Sequence, residues 1–426
     1  MILRPYQETA VDACATALAE HRSVLLQLPT GGGKTAIAAE IFRRAVASNP
    51  GKRFAFLAHR DDLLGDTQAR LAQAGIWAGR IQAGSTPDPL AIVHVCSVQT
   101  LYARTTDLSK FAGIIVDEAH RAPSASIMAI LAGCPDAWIL GLSATPQRGD
   151  GTALDPPFKY MVRGPSVRDL IGMGFLVPCE VYGPLMRQDL PAMALAEAVK
   201  KYHQGSGKTL VFCRDVATAR ELADEIGPLA ACVDGSTEFT DRHVLFEKFR
   251  ERGSGVDILT NCMVLTEGFD APITDTLILG RGCTHASAYL QIVGRAMRSH
   301  PGKRVSTIVD LCGVSTIHGL PDDDREYCLS GKPIRRIERE PIKVCPKCFA
   351  VHSPAPRCPR CGTVYPPPPP KKEVRTAEMK RSDGINPLLA EQRKNYKASL
   401  IAVQKARGYA YGWVTHRLRA RYGFAF

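Results

Sequence analysis

Apolar and polar positions alternate along this chain with two periods. Unbroken apolar runs at 54–58, 91–96, 113–116 and 137–142 have the length and composition of buried strands. Between them the spacing turns helical: at 8–20, Ala10, Val11, Cys14, Ala17 and Leu18 share one face, and 61–74 and 124–131 follow the same period. Fully apolar strands alternating with helices predict a mostly parallel sheet covered on both faces. The pattern then lapses into Gly, Pro and charge and starts again. Strands are predicted at 209–213, 230–233, 256–260, 276–279 and 305–310, and helices at 216–226 and 241–252, the latter capped by Thr240. The chain thus divides into a first α/β domain at 1–150, a connector at 151–184 with a short helix at 166–173, and a second α/β domain at 185–320.

Chemistry is concentrated at the ends of the strands. The apolar run 25–28 leads into Pro29-Thr30-Gly31-Gly32-Gly33-Lys34-Thr35, which opens onto an alanine-rich segment at 36–45. Glycines let successive N–H groups turn toward one anion, the following helix points its positive end there, and Lys34 adds a full charge. Thr35 is placed to hold Mg²⁺. A flexible turn could carry the same residues, and Leu28 stands where the longer phosphate-loop pattern has glycine. Asp117-Glu118-Ala119-His120 directly follows an apolar strand, where parallel sheets bind ligands. There Asp117 can reach the Mg²⁺, Glu118 can polarise a water for in-line attack on the γ-phosphate of ATP, and His120 can sense that phosphate. A second phosphate-loop look-alike, Gly205-Ser206-Gly207-Lys208-Thr209, precedes its strand and has no helix behind it. It reads as a turn, with Lys208 at most touching a nucleic-acid backbone.

The ordered set Gly31–Thr35, Asp117–His120 and Ser143-Ala144-Thr145 resembles the motifs of superfamily 2 helicases and translocases of the DEAD/DEAH type, over Leu3 to about Leu311. The resemblance implies two tandem RecA-like parallel-sheet domains with ATP bound between them. Arg4 and Gln7 resemble the adenine-reading motif, and Thr30 with Gly31, Gly32 and Gly33 completes the nucleotide cradle. His59 and Arg60, then Gln99 and Thr100, resemble strand-gripping motifs, joined in the second domain by Arg214 and Thr266. Ser143 and Thr145, followed by Arg148 and Asp150, match the motif that couples hydrolysis to movement. Gly268 and Asp270 match the motif that contacts ribose. Gln291, Arg295 and Arg298 lie three to four residues apart on one side of a helix. The resemblance makes Arg298 the arginine finger and Arg295 a γ-phosphate contact. The implied function is ATP-dependent movement along, or unwinding of, DNA. An RNA helicase or remodeller and the motor subunit of a nuclease complex are the alternatives. Little sequence lies between the motifs to build a strand-separating wedge, which favours translocation or remodelling over extensive unwinding.

Composition adds partners and cofactors. At 426 residues and 45% hydrophobic content, the chain can fill two sizeable cores. No apolar run approaches a membrane span and the start lacks a signal pattern, so no membrane association and a cytoplasmic location are expected. The net charge of +12 suits a polyanionic partner; the resemblance implies DNA rather than RNA, with a nuclease or a replication or repair protein as a protein partner. Of 14 cysteines, ten are scattered like reduced core thiols. Cys345, Cys348, Cys358 and Cys361 form two C-P-x-C knuckles, the S₄ set that Zn²⁺ takes in a structural ribbon at 341–365. Iron accepts the same ligands; a helicase appendage favours zinc. Lys343, Lys347, Arg357 and Arg360 give this ribbon a basic surface. The remainder, 366–426, is a proline spacer and a basic helical tail with a helix at 388–406. Its interleaved aromatics and arginines suit base stacking and phosphate contact, and equally suit packing.

Overall fold

The structure is a computed structural model that describes residues 2–59, 62–104, 108–148, 152–184, 192–266, 269–331, 342–366, 387–409 and 412–422. The first α/β unit runs α1 (Pro5–His21), β1 (Ser23–Gln27), α2 (Lys34–Ser48), β2 (Arg53–Ala58), α3 (Asp62–Gln73), β3 (Ala78–Ile81), β4 (Val93–Ser97), α4 (Val98–Ala103), β5 (Phe111–Val116), α5 (Ala125–Ala132), β6 (Trp138–Ser143) and β7 (Tyr160–Arg163). Its strands form one sheet in the order β3-β4-β2-β5-β6-β1-β7. Every pairing is parallel. Apolar side chains on both sides of each strand fill two cores, one around Phe42, Phe54 and Phe56 and the other around Phe111, Ile114 and Phe158. A parallel sheet buried on both faces is the reason the strands read as unbroken apolar runs.

Helix α6 (Val167–Gly172) follows and buries Leu170 in the first unit's core; the second unit then runs β8 (Cys179–Tyr182), α7 (Ala192–Tyr202), β9 (Lys208–Phe212), α8 (Val216–Ile226), β10 (Ala230–Val233), α9 (Phe239–Arg250), β11 (Ile258–Asn261), β12 (Thr274–Leu279), α10 (Ala286–Ala296), β13 (Ser306–Asp310) and α11 (Val314–His318). The ribbon strands β14 (Lys343–Val344) and β15 (Ala350–His352) follow. The sheet order is β10-β11-β9-β12-β13-β8-β15-β14. It is parallel as far as β8, where β15 joins antiparallel and carries the ribbon onto the sheet edge. Arg360 reinforces that junction by an ion pair to Glu180 at 2.5 Å.

Three expectations change. The stretch 151–184 is more than a connector: β7 pairs with β1, and β8 pairs with β13. Without β7, the open side of β1 would present unpaired backbone groups beside the phosphate loop. Helix α9 begins at Phe239 with Glu238 in the N-cap position, so Thr240 lies inside the first turn. Lys208 faces inward and not toward a strand track: its side chain is fully buried at the start of β9, and its Nζ donates to Val256 O and Asp257 Oδ1, both at 2.7 Å.

After α11 the chain returns to the first unit. The backbone N–H groups of Leu154 and Asp155 donate to Leu329 O, and Leu329 packs against the first unit's core. Arg168 on α6 faces Asp322, Asp323 and Asp324 at 3.3 to 3.8 Å.

Residues 1–366 form one compact unit and 367–426 another. The described part of the latter is a helical pair, α12 (Pro387–Arg407) and α13 (Trp413–Tyr422), closed by Leu400, Val414 and Leu418. Among the described residues no helix is long and apolar enough to cross a membrane.

Candidate functional site

The loop after β1 is built for close backbone approach. Gly31 and Gly33 both adopt left-handed conformations, φ +86° and +82°, which side-chain-bearing residues rarely enter. A Cβ on Gly33 would stand 2.2 Å from Gln7 Nε2, so glycine is also the residue that fits. Gly33 occupies the N-cap position of α2, and Lys34 and Thr35 form its first turn. Helix α1 braces this loop: Tyr6 Oη donates to Gly32 O at 2.7 Å and Gln7 Nε2 donates to the same oxygen at 3.2 Å. Gln7 Oε1 meanwhile accepts from the Arg4 backbone N–H, and the Arg4 guanidinium lies 4.4 Å over the Phe175 ring. Arg4 and Gln7 therefore sit against the loop and beside an aromatic wall. Tyr6 and Phe175 were missed in the sequence reading; Tyr6 lies between the two predicted residues, while Phe175 is hidden in the supposed connector.

The carboxyl ends of β5 and β6 supply the acids and the coupling motif. Asp117 follows β5, and its Oδ1 accepts the Glu118 N–H at 3.0 Å. Glu118 is held at φ 45°, a conformation uncommon outside glycine, which turns its side chain off the strand direction. Its Oε2 accepts from Gln291 Nε2 at 2.9 Å, and His120 Nδ1 lies 3.3 Å from that oxygen. Burial alone would raise the Glu118 carboxyl, but the His120 hydrogen bond and the charges of Lys34 and Arg121 outweigh it and hold it below the ordinary glutamate value. Ser143 Oγ accepts the Thr145 N–H at 3.2 Å, which fixes the turn after β6. Both Ser143 and Thr145 are buried.

Helix α10 brings in the second domain. A Cβ on Gly294 would stand 2.8 Å from Thr30 Cβ, so the missing side chain lets α10 lie directly on the phosphate loop. Gln291 then reaches Glu118 as described. Arg298 passes close to Gly31, its Cγ 3.3 Å from where a Cβ would sit there, and its Nη1 pairs with Asp270. Asp270 Oδ2 also accepts from Arg70 Nη2 on α3 at 2.6 Å. Asp270, expected at ribose, is thus bracketed by two guanidinium groups, because it is the carboxylate within reach of both. Burial would raise its carboxyl, and Arg298 and Arg70 outweigh that and lower it.

Arg295, expected at the γ-phosphate, bonds backbone carbonyls of its own domain. It is buried, and its Nε and Nη2 donate to Thr266 O while Nη1 donates to Phe269 O. Buried carbonyls need donors, and Arg295 supplies them to Thr266 and Phe269, next to Asp270. Arg70 and Gly294 could not be singled out from sequence, since their partners lie 200 and more than 260 residues away.

Of the predicted strand-gripping residues, His59, Gln99 and Thr100 follow the carboxyl ends of the neighbouring strands β2 and β4. His59 O accepts from Gln99 Nε2 at 3.1 Å, which ties the turn after β2 to α4, where Thr100 also lies. In the second unit Arg214 is exposed and paired with Asp215 at 3.0 Å. Thr266 is buried. Arg60, Asp150, Glu267 and Gly268 lie outside the described residues.

The ribbon brings Cys345, Cys348, Cys358 and Cys361 together, with their sulfurs all within 4.8 Å of one another. Cys345 to Cys361 is 3.6 Å and Cys348 to Cys358 is 3.7 Å. A tetrahedron with metal–sulfur bonds of ~2.3 Å has edges of about 3.8 Å, so the set fits one ion. Burial raises the Cys345 thiol and the N–H groups of Cys348 and Lys347 aimed at its sulfur outweigh that and lower it, while burial and the neighbouring sulfurs raise the Cys348 thiol. His352 is occupied elsewhere, its Nε2 2.7 Å from Tyr365 Oη.

Comparison with known proteins assigns both halves of this arrangement. Residues 1–148 match the family described as type III restriction enzyme, res subunit, and residues 192–300 match the helicase conserved C-terminal domain. A 51.5 kDa protein of a Lactococcus phage is 28% identical over 356 residues, covering 77% of this chain and 75% of the phage protein. A Schizosaccharomyces pombe protein carrying the name of a mitochondrial ATP-dependent helicase, irc3, is 30% identical over 353 residues, covering 73% of this chain and 57% of that one. The chain therefore spans little more than half the length of this yeast relative. In fold, it is similar to the helicase MrfA in a crystal structure with DNA and AMPPNP, with a TM-score of 0.57 at 16% identity over 74% of this chain and 49% of that one.

Proposed function

We infer the function of this chain from its membership of superfamily 2, the helicases and translocases, to which its res-subunit and helicase C-terminal domains assign it. It is an ATP-dependent DNA helicase or translocase that hydrolyses ATP between two RecA-like domains. The observation that carries this reading is the reach of Gln291, from the second domain, to Glu118 at the end of β5 in the first. A carboxylate gripped from both sides of an interface is complete only when the domains are closed, and that makes hydrolysis and domain movement one process.

Each residue then has a task. The backbone N–H groups of 31–35 and Lys34 cradle the phosphates, and Thr35 with Asp117 would hold Mg²⁺. When bound, Mg²⁺ neutralises charge shared by the β- and γ-phosphates. Glu118 accepts the proton of the attacking water as its oxygen bonds to the γ-phosphorus; the bond from that phosphorus to the bridging oxygen breaks, and ADP leaves with its electron pair. Gln291 orients Glu118, and His120 keeps it ionised. Arg298, beside Gly31, is the cation for charge developing on the transferred phosphoryl group. Arg4 and Phe175 form the wall for adenine. His59, Arg60, Gln99, Thr100, Arg214 and Thr266 border the track for a strand.

DNA as the track is supported by the net charge of +12, by the basic helical pair and by motifs of the DNA-acting kind. The four-cysteine ribbon takes structural zinc, with no open ligand position for chemistry. The deciding experiment is ATP turnover at fixed salt with single-stranded, duplex and forked DNA and single-stranded RNA. Stimulation by a DNA form is expected; stimulation by RNA alone would move the chain to RNA remodelling.

A further inference from the structure

Helix α3 begins at Asp62, three residues after His59, which is read above as gripping the strand. It is anchored to β3 through Gln68, whose Nε2 donates to Ala78 O at 2.5 Å and whose Oε1 accepts from Arg80 Nη2 at 2.8 Å. Two residues further along, Arg70 leaves the first domain and donates to Asp270 Oδ2 at 2.6 Å. The other oxygen of the same carboxylate takes Arg298. Arg298 Nε is buried and, among the described residues, has no hydrogen-bond acceptor. The backbone around Asp270 is fixed independently, by Arg250 Nε on its own carbonyl at 3.0 Å and by Arg295 on the carbonyls of Thr266 and Phe269.

We propose that Arg70 is a positioning residue for the arginine finger, sharing the Asp270 carboxylate with Arg298 and so linking the strand-gripping turn to the γ-phosphate end of the site. One carboxylate between two guanidinium groups attracts each less tightly than it would attract one alone, because the two cations repel and divide its lone pairs. Arg70 therefore loosens the hold of Asp270 on Arg298 and leaves Arg298 available to charge on a nucleotide. The contact crosses from α3 to the turn before β12, so it forms when the domains close. A strand that shifts His59 shifts α3, and with it the share of Asp270 left to Arg298. The class of reaction is unchanged; what Arg70 sets is the coupling between strand and hydrolysis. This inference rests on the motor reading above.

The test uses the full chain carrying Arg70→Lys, Arg70→Ala or Arg70→Glu, with steady-state ATP turnover measured at saturating DNA and the melting temperature measured alongside. Arg70 is about half exposed, so folding should survive each change. The expected result is a fall in DNA-stimulated kcat of about tenfold for Arg70→Ala, a larger fall for Arg70→Glu, and recovery of most of the rate in Arg70→Lys. KM for ATP should stay within about twofold, since Arg70 does not touch the nucleotide. Wild-type kcat in all three variants would overturn the proposal, as would a loss expressed equally in KM or one that lysine does not restore. If the unmodified chain itself showed no DNA-stimulated turnover, the motor reading would have failed first, a result distinct from variants that match a stimulated parent.

Discussion

Burial works against an ionised Glu118, and the hydrogen bond from His120 with the charges of Lys34 and Arg121 works harder in the opposite direction. A carboxyl lowered in the folded state contributes stability that is present above its unfolded value and lost as the pH falls through the folded one. Glu118 is therefore charged, and competent as a base, at and below the ordinary value of 4.5. The kcat profile should be flat from neutrality down to that region; an acid limb near pH 6 that disappears in Glu118→Gln would contradict this assignment. Glu118→Gln should bind ATP and DNA yet lose roughly 10²–10⁴ in turnover, measured by nucleotide binding beside steady-state hydrolysis. The type and order of Lys34, Thr35, Asp117 and Glu118 were legible because the acids directly follow an apolar strand and Lys34 and Thr35 follow another through a glycine-rich loop. The partners of Arg295 were not legible: helical spacing puts it on the same side as Gln291 and Arg298, but spacing says nothing about the carbonyls of Thr266 and Phe269 to which it donates.

Strand β9 shows how an element decides what a motif means. Lys208 stands in a perfect-looking glycine-rich sequence, yet the strand carries its side chain inward to Asp257 and Val256 O. Breaking a buried ion pair from one side leaves an uncompensated charge, typically at ~3–5 kcal/mol. Lys208→Ala should lower the melting temperature by several degrees while DNA affinity stays at the wild-type value. Weakened DNA binding in a variant of unchanged stability would restore the nucleic-acid role. Strand β7 makes a similar point, since a sequence rich in Gly and Pro reads as linker until β1 needs a neighbour on its open side.

For the whole molecule, the ribbon and the helical pair behave differently. The ribbon belongs to the large unit, because β15 continues the second sheet beyond β8. Purified protein should contain about one zinc per chain, and removing it with a chelator, or replacing Cys345 by Ser, should lower thermal stability as well as metal content. Metal analysis with unchanged melting would show that the sheet edge does not depend on the ion. Residues 367–426 cluster apart from the rest, and between 387 and 422 there are eight Lys or Arg against one Glu. The Tyr409 and Trp413 rings tilt against each other with centroids 4.7 Å apart and Arg417 lies 5.4 Å over the Trp413 ring, so these aromatics are engaged within the pair. Phosphate contact is the role proposed for its exposed cations. A chain ending at Pro366 should keep its ATP turnover but bind DNA more weakly and with a shallower salt dependence. Equal slopes with and without the pair would assign the cations to solubility alone.

The sequence by itself determined the two α/β units, the chemistry after β1 and β5, and the four-cysteine set, because each depends on neighbours within a few residues: strand period, glycine conformation, knuckle spacing. The tertiary structure decided which charges reach the site. Gln291 meets Glu118 across 173 residues and Arg70 meets Asp270 across 200, while Lys208 is withdrawn into a core. Such pairings are set by how helices and sheets pack, and side chains with the same local sequence signal can end on a phosphate, a carbonyl or a buried carboxylate.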